Sequence, residues 1–430
     1  MIKFTPSRNL KFALVAPLIS IFTACGGGGG GDSSAAASTT RVPIISAFAG
    51  TGVTGFSGDG GVATAAQMSS PWGGATDSVG NYFFYDFTNC RVRVVAHATS
   101  TIFGVAATAG NIYTVAGNGS CGYTGDGGLA LSAQIDSGGG IAIDGNDHLY
   151  VTSTVNVIRM IAAAPTTFAG QVMNSNKIYT IAGTGVTGFS GDGAAATAAK
   201  LSTPRGMTFD AADNLYFIDS GNFRVRMLSR RTETKFGQAV VDGNIYTLAG
   251  VGTQAYSGDT GSALAAQLNN PEELAINNIG DIFLSDSNNI RVVVSTNNTL
   301  FGVNVVANNI YSIAGNGFNN TFNGDGLQAT ATNLNNPSSL KFDTNGNLFF
   351  AETTGNRIRV VTKTAGTAYA QTVAANSVYT VVGTGSPGGS GDGGAATAAN
   401  INSPKALAFD TAGALYFGDS GNNRIRKVTP

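Results

Sequence analysis

The sequence predicts an all-β domain in which six similar four-stranded units stack radially and close into a ring. Three observations predict it. First, a Gly-Asp pair recurs at Gly58-Asp59, Gly125-Asp126, Gly191-Asp192, Gly258-Asp259, Gly324-Asp325 and Gly391-Asp392, so the Asp spacings run 67, 66, 67, 66 and 67, and a fixed period of this size marks a repeat architecture. Second, 60 of the 430 residues are Gly and only 11 % are charged, against about 25 % charged in ordinary domains. This excludes a helical bundle or a solvated disordered chain and favours short strands separated by turns. Third, the ends are out of phase: Val42 to Ala49 match the fourth strand of a unit, whereas Arg424 to Val428 match the third. Pairing the two closes the ring and removes an exposed edge. An open array would instead need polar capping units.

The elements follow in order. Lys3, Arg8 and Lys11 precede an apolar run from Phe12 to Phe22, and Thr23 and Ala24 lead to Cys25. The run is shorter than the roughly 20 residues that span a bilayer, so residues 1–24 read as a cleaved secretory signal. Gly26 to Gly31 and the Ser/Ala/Thr segment after them make residues 25–40 a flexible tether. Small residues directly before a Cys resemble the lipobox of bacterial lipoproteins. That resemblance implies a lipidated Cys25, a chain held at the membrane of a bacterial cell envelope and, with Gly26 next to the Cys, sorting to the outer membrane.

Residues 41–430 hold the six units. In five of them the first strand follows a Pro, namely Pro71, Pro204, Pro271, Pro337 and Pro404. A second anchor (Asp77, Asp144, Asp210, Asn277, Asp343, Asp410), always 18 residues after the Gly-Asp pair, makes the turn into the second strand. A polar turn such as Asp219 to Asn222 leads to the third. A longer excursion, for example Thr296 to Asn309, is expected to extend the third and fourth strands as a hairpin at the rim before the fourth begins. The text of these units (Gly55 to Gly61, Ala63 to Gln67, Asp419 to Val428) resembles the bacterial form of the NHL repeat. The resemblance implies a six-bladed β-propeller closed by pairing of the N-terminal strand with the last blade.

Candidate site residues are weighed against that frame. Five blades place an acid five residues before an Arg (Asp86/Arg91, Asp219/Arg224, Asp286/Arg291, Glu352/Arg357, Asp419/Arg424), and blade two has Ser153 and Ile158 instead. These read as clamps across the turn between second and third strands. Asp59, Asp126, Asp192, Asp259, Asp325 and Asp392 should ring one mouth of the channel, folding their loops by accepting backbone N–H groups or binding a polar ligand. Trp72, the only Trp, has no counterpart in other blades and should stand near the same mouth as a ligand contact. The topology brings Cys90 and Cys121 to one face, and outside the cytoplasm they are expected to form a disulfide.

Function is bounded more than it is fixed. A formal charge of -1 leaves no basic surplus for nucleic acid. His97, His148 and three Cys are too scattered for a zinc site, so no metal or cofactor is expected. The leading expectation is a monomeric binding or scaffold module that docks a ligand, protein or polysaccharide on the Gly-Asp face. The alternative is a lactonase- or lyase-like enzyme with a metal in the channel.

Overall fold

The computed structural model describes residues 41–317 and 320–430. The signal, the tether and Cys25 lie outside the described residues. The described chain is a six-bladed β-propeller. Blade one comprises Pro71–Thr76, Tyr82–Asp86, Arg91–Val95 and Ile112–Ala116, from axis to rim. Blades two to five repeat this order, with inner strands Ile141–Ile143, Pro204–Phe209, Pro271–Ile276 and Pro337–Phe342.

Blade six has three strands of its own, Pro404–Phe409, Leu415–Asp419 and Arg424–Thr429, and takes Ile44–Ala49 as its fourth. The borrowed strand runs antiparallel, Ile44 opposite Thr429 and Ala49 opposite Ile425. Across the same seam the Tyr82 hydroxyl donates to the Ala406 carbonyl at 2.9 Å, and Thr76 Oγ1 to that of Phe409 at 3.0 Å. Phe48, Tyr82 and Tyr416 fill the space between the first and last blades with aromatic contacts of 4.6–6.1 Å. The ring therefore closes as the mismatched ends predict.

The excursions differ from expectation. In blades one to five they form separate two-stranded hairpins, such as Ser100–Ile102 with Val105–Ala107, rather than extensions of the blade. A two-residue turn with both residues at positive φ (Phe103 at 46°, Gly104 at 80°) sets this register, because that turn matches the twist of a hairpin.

The Gly-Asp segments cross each blade and bond to its rim strand. Gly60, Gly127, Gly193, Thr260, Gly326 and Gly393 each donate a backbone N–H, at 2.8 Å, to Ile112, Ile178, Ile245, Ile310, Val378 and Ile45. Every outer edge is thus partly covered, which protects it from pairing with another chain. The Gly is required: a Cβ on Gly58 would lie 2.7 Å from Ala66 Cα, and the same holds at Gly191 and Gly258. Met68, Leu201, Leu268, Leu334 and Ile401 close the core beneath these segments, each fully buried.

Six buried arginines fasten the segments. Arg93, Arg159, Arg226, Arg291, Arg359 and Arg426 are each at most 2 % exposed. Each pairs with the Asp of its Gly-Asp loop at 2.6–3.2 Å. Arg93 also donates to the Ser57 and Gln67 carbonyls, both at 2.8 Å, so one planar guanidinium holds both limbs of the loop. In five blades the same Arg faces a buried acid, Asp86, Asp219, Asp286, Glu352 or Asp419, at 3.0–3.6 Å.

This corrects the expected clamps. The buried partner is the diagonal neighbour across the hairpin, seven residues on rather than five: Asp86 sits opposite Arg91 but pairs with Arg93. Arg91, Arg224 and Arg357 instead stack over Phe56, Phe189 and Phe322 at 3.6–4.0 Å. Blade four keeps the spacing of five because its turn is two residues shorter, with Asp286 opposite Asn289. Arg424 lacks an aromatic partner and reaches Asp419 at 3.6 Å as well as Asp392 at 3.4 Å. Blade two keeps its Arg, and its acid moves to buried Asp136, which accepts from the Thr154 hydroxyl and the Val155 N–H.

Candidate functional site

The axial channel opens on the face that carries the Gly-Asp loops, at the beginning of the inner strands. At this point five inner strands lose one step of register with their neighbours, between Trp72 and Gly74, Arg205 and Met207, Pro271 and Leu274, Ser338 and Lys341, and Lys405 and Ala408. Such bulges re-aim side chains. Here they bring the residue after the strand-opening Pro to a cavity of about 160 Å³.

That residue is different in every blade: Trp72, Gly139, Arg205, Glu272, Ser338 and Lys405 in ring order. Arg205 pairs with Glu272 at 2.9 Å, both partly exposed. The Lys405 ammonium lies 3.0 Å from the centre of the Trp72 ring, and that ring stacks on Phe87 at 5.1 Å and 25°. Burial pushes Lys405 down to about 8, with Glu272 opposing and Arg205 reinforcing the shift. Trp72 also leans on blade two, where Gly138 replaces the usual Pro and a Cβ on Gly139 would lie 3.5 Å from the indole.

The next residue inward is small in five blades (Gly73, Gly140, Gly206, Ser339, Ala406) and Glu273 in blade four. Its neighbour must be Gly, since a Cβ on Gly206 would meet Glu273 Cα at 2.6 Å. Burial pushes the Glu273 carboxyl up to about 7, eased by the charge of Lys341 and raised further by Glu272. Two positions deeper stand Ala75, Ala142, Thr208, Ala275 and Ala408, with Lys341 in blade five. Burial lowers the Lys341 ammonium, and Glu273 opposes the shift. Beyond it the far mouth is walled by Phe209, Phe342 and Phe409 around a second cavity of about 250 Å³.

The other expected site residues fall elsewhere. The six Gly-Asp carboxylates do not ring the channel. Their guanidinium partners are on third strands, and Asp126 Oδ2 accepts the N–H of Thr180 on an outer strand at 3.0 Å, so they lie over the outer half of each blade. They serve as loop anchors. Cys90 and Cys121 are disulfide-bonded, with Cα atoms 5.1 Å apart, joining the blade-one turn to the loop that enters blade two. His148 is buried, and its Nδ1 accepts the Ala163 N–H at 3.0 Å. Among the described residues no group of three His, Cys, Asp or Glu stands ready for a metal, so the channel-metal enzyme has no ligand set there.

Sequence reasoning identified Trp72 and missed Arg205, Glu272, Glu273, Lys341 and Lys405. The signal is present, since the position after the Pro carries a different residue in each of the six copies.

No protein-family model matches the chain. In sequence it is 30 % identical to Homo sapiens Teneurin-1 over 243 residues, covering 56 % of this chain, and 29 % identical to Mus musculus Teneurin-4 over 311 residues, covering 67 %. The chain spans only 8 % and 10 % of those relatives' lengths. In structure it is similar to a Bacteroides thetaiotaomicron protein of unknown function, with TM-score 0.55, 16 % identity and coverage of 90 % of this chain and 76 % of the other. It is also similar to an auxiliary nutrient binding protein from Bacteroides ovatus, with TM-score 0.53, 13 % identity and coverage of 90 % and 77 %. At these identities the likeness establishes the propeller fold.

Proposed function

We propose that this chain is an exported, lipid-anchored propeller that binds a small polar ligand at its axial mouth. The observation that carries the reading is the set of six unlike residues that six nearly identical strands deliver to one cavity. Repetition serves architecture, whereas a site for one asymmetric molecule needs a different group from each blade. The Bacteroides ovatus neighbour, described as an auxiliary nutrient binding protein, supports a binding role. The small residues directly before Cys25 support the anchoring.

Two measurements test the reading. Trp72 is the only Trp, so its fluorescence reports directly on the mouth. A panel of sugars, amino acids and organic acids should contain a compound that changes this emission saturably and raises the melting temperature. No such compound in the panel would overturn the reading. Labelled palmitate should be incorporated by the native chain in a bacterial host and not by Cys25→Ser. Equal labelling of both would remove the anchor.

A further inference from the structure

Resting on the axial binding site proposed above, we propose that its ligand is a small anion, a carboxylate- or phosphate-bearing molecule whose charge is held by Lys405 and Arg205 and whose body lies along Trp72. The channel draws three cations, Arg205, Lys341 and Lys405, from blades three, five and six, and two carboxylates, Glu272 and Glu273, from blade four. Only one pair of these charges is matched at close range, Arg205 with Glu272 at 2.9 Å. Among the described residues Lys405 has no carboxylate within 4.0 Å and rests on an aromatic face, and neither Lys341 nor Glu273 has an ion-pair partner within that distance. An unpaired ammonium held off water is costly unless something completes it.

The six-fold frame sharpens this. The buried Arg of each blade is ion-paired with its loop Asp and, in five blades, with a second acid, so unpaired charge is not a general habit of the fold. The mouth departs from that habit at the blades that also depart in sequence. The groups facing Glu273 and Lys405 are Arg205, Glu272 and Lys341, with Trp72 as the neutral neighbour. With Glu273 near 7, lowering the pH from about 8 to about 6 protonates it and fully charges Lys405, which leaves three cations against Glu272 alone. Both changes favour an anion. Ser338, Ser339 and Thr203 supply further hydroxyls around the same cavity.

The test uses the full chain in detergent and follows Trp72 emission with calorimetry as a second readout, using D-glucuronate, inorganic phosphate, D-glucose and D-glucosamine. Glucuronate or phosphate should bind at least about tenfold more tightly than glucose, and glucosamine least of all. Which of the two anions binds assigns carboxylate or phosphate. Affinity for that anion should rise as pH falls from about 8 to about 6, and Lys405→Met should lower it about tenfold or more without lowering the melting temperature. Glucose binding as tightly as the anions, or an anion affinity indifferent to Lys405→Met, overturns the anion while leaving a ligand site in place. No saturable response to any of the four at about 10 mM overturns the anion; the broad panel then decides the fate of the site itself.

Discussion

Two sets of charged residues occupy this ring and obey opposite rules. Over the outer half of every blade, a buried Arg meets a loop Asp and, in five blades, a second acid, and the arrangement hardly varies. At the mouth of the channel the position after the Pro differs in every blade, and among the described residues Lys341, Lys405 and Glu273 are left without close ionic partners. In a repeat protein, uniform charge is masonry. Charge that breaks the repeat marks one place in the molecule, and the propeller separates the two by distance from its axis.

Breaking the outer set should have the largest effect. Arg226→Ala leaves Asp219 buried and unpaired and frees the Ser190 limb of its loop. A loss of about 3–5 kcal/mol is expected in denaturant unfolding. A loss under about 1 kcal/mol would mean that the guanidinium does not anchor the blade. Next comes the disulfide, which ties positions 31 residues apart. Replacing Cys90 and Cys121 together by Ser should cost about 3 kcal/mol by the same measurement.

The inner set should respond to pH rather than to deletion. Burial raises the folded-state value of Glu273 to about 7 from its ordinary 4.5. The folded chain therefore holds a proton that the unfolded chain releases, and this group's contribution to stability falls as pH rises from about 4.5 to about 7. Glu273→Gln should flatten that part of the stability profile and leave the variant at least as stable as the native chain at pH 8. An unaltered slope would show that Glu273 is solvated. The smallest effect is expected at the exposed stacks: Phe189→Ala removes the ring under Arg224 and should cost about 0.5–1 kcal/mol. A cost equal to that of Arg226→Ala would erase the distinction between buried clamp and surface stack.

The fold was legible because its information is repeated. Six Gly-Asp pairs, five prolines and the out-of-phase ends each state the same ring, and the disulfide follows from the faces the ring creates. In blades one, three and five the clamps were read two residues out of place because both arginines of the pair, Arg91 and Arg93 or Arg224 and Arg226, are candidates by spacing, and twist across the hairpin decides between them. Only the second Arg of each pair has a counterpart in all six blades, including Arg159 and Arg291, where the first is absent. The axial site was nearly invisible for the opposite reason. Residues such as Lys341 and Glu273 stand alone in sequence, and only the bulged inner strands bring them to one channel.

The strand that completes blade six carries a further consequence for biogenesis. Ser46 donates its hydroxyl to the Lys427 carbonyl, partners 381 positions apart, so some of the earliest residues to be made wait for nearly the last. Contacts of such separation form slowly. Until blade six has been synthesised, the Ile44–Ala49 strand has no edge to join, and a chaperone that shields this single strand would guard the whole molecule.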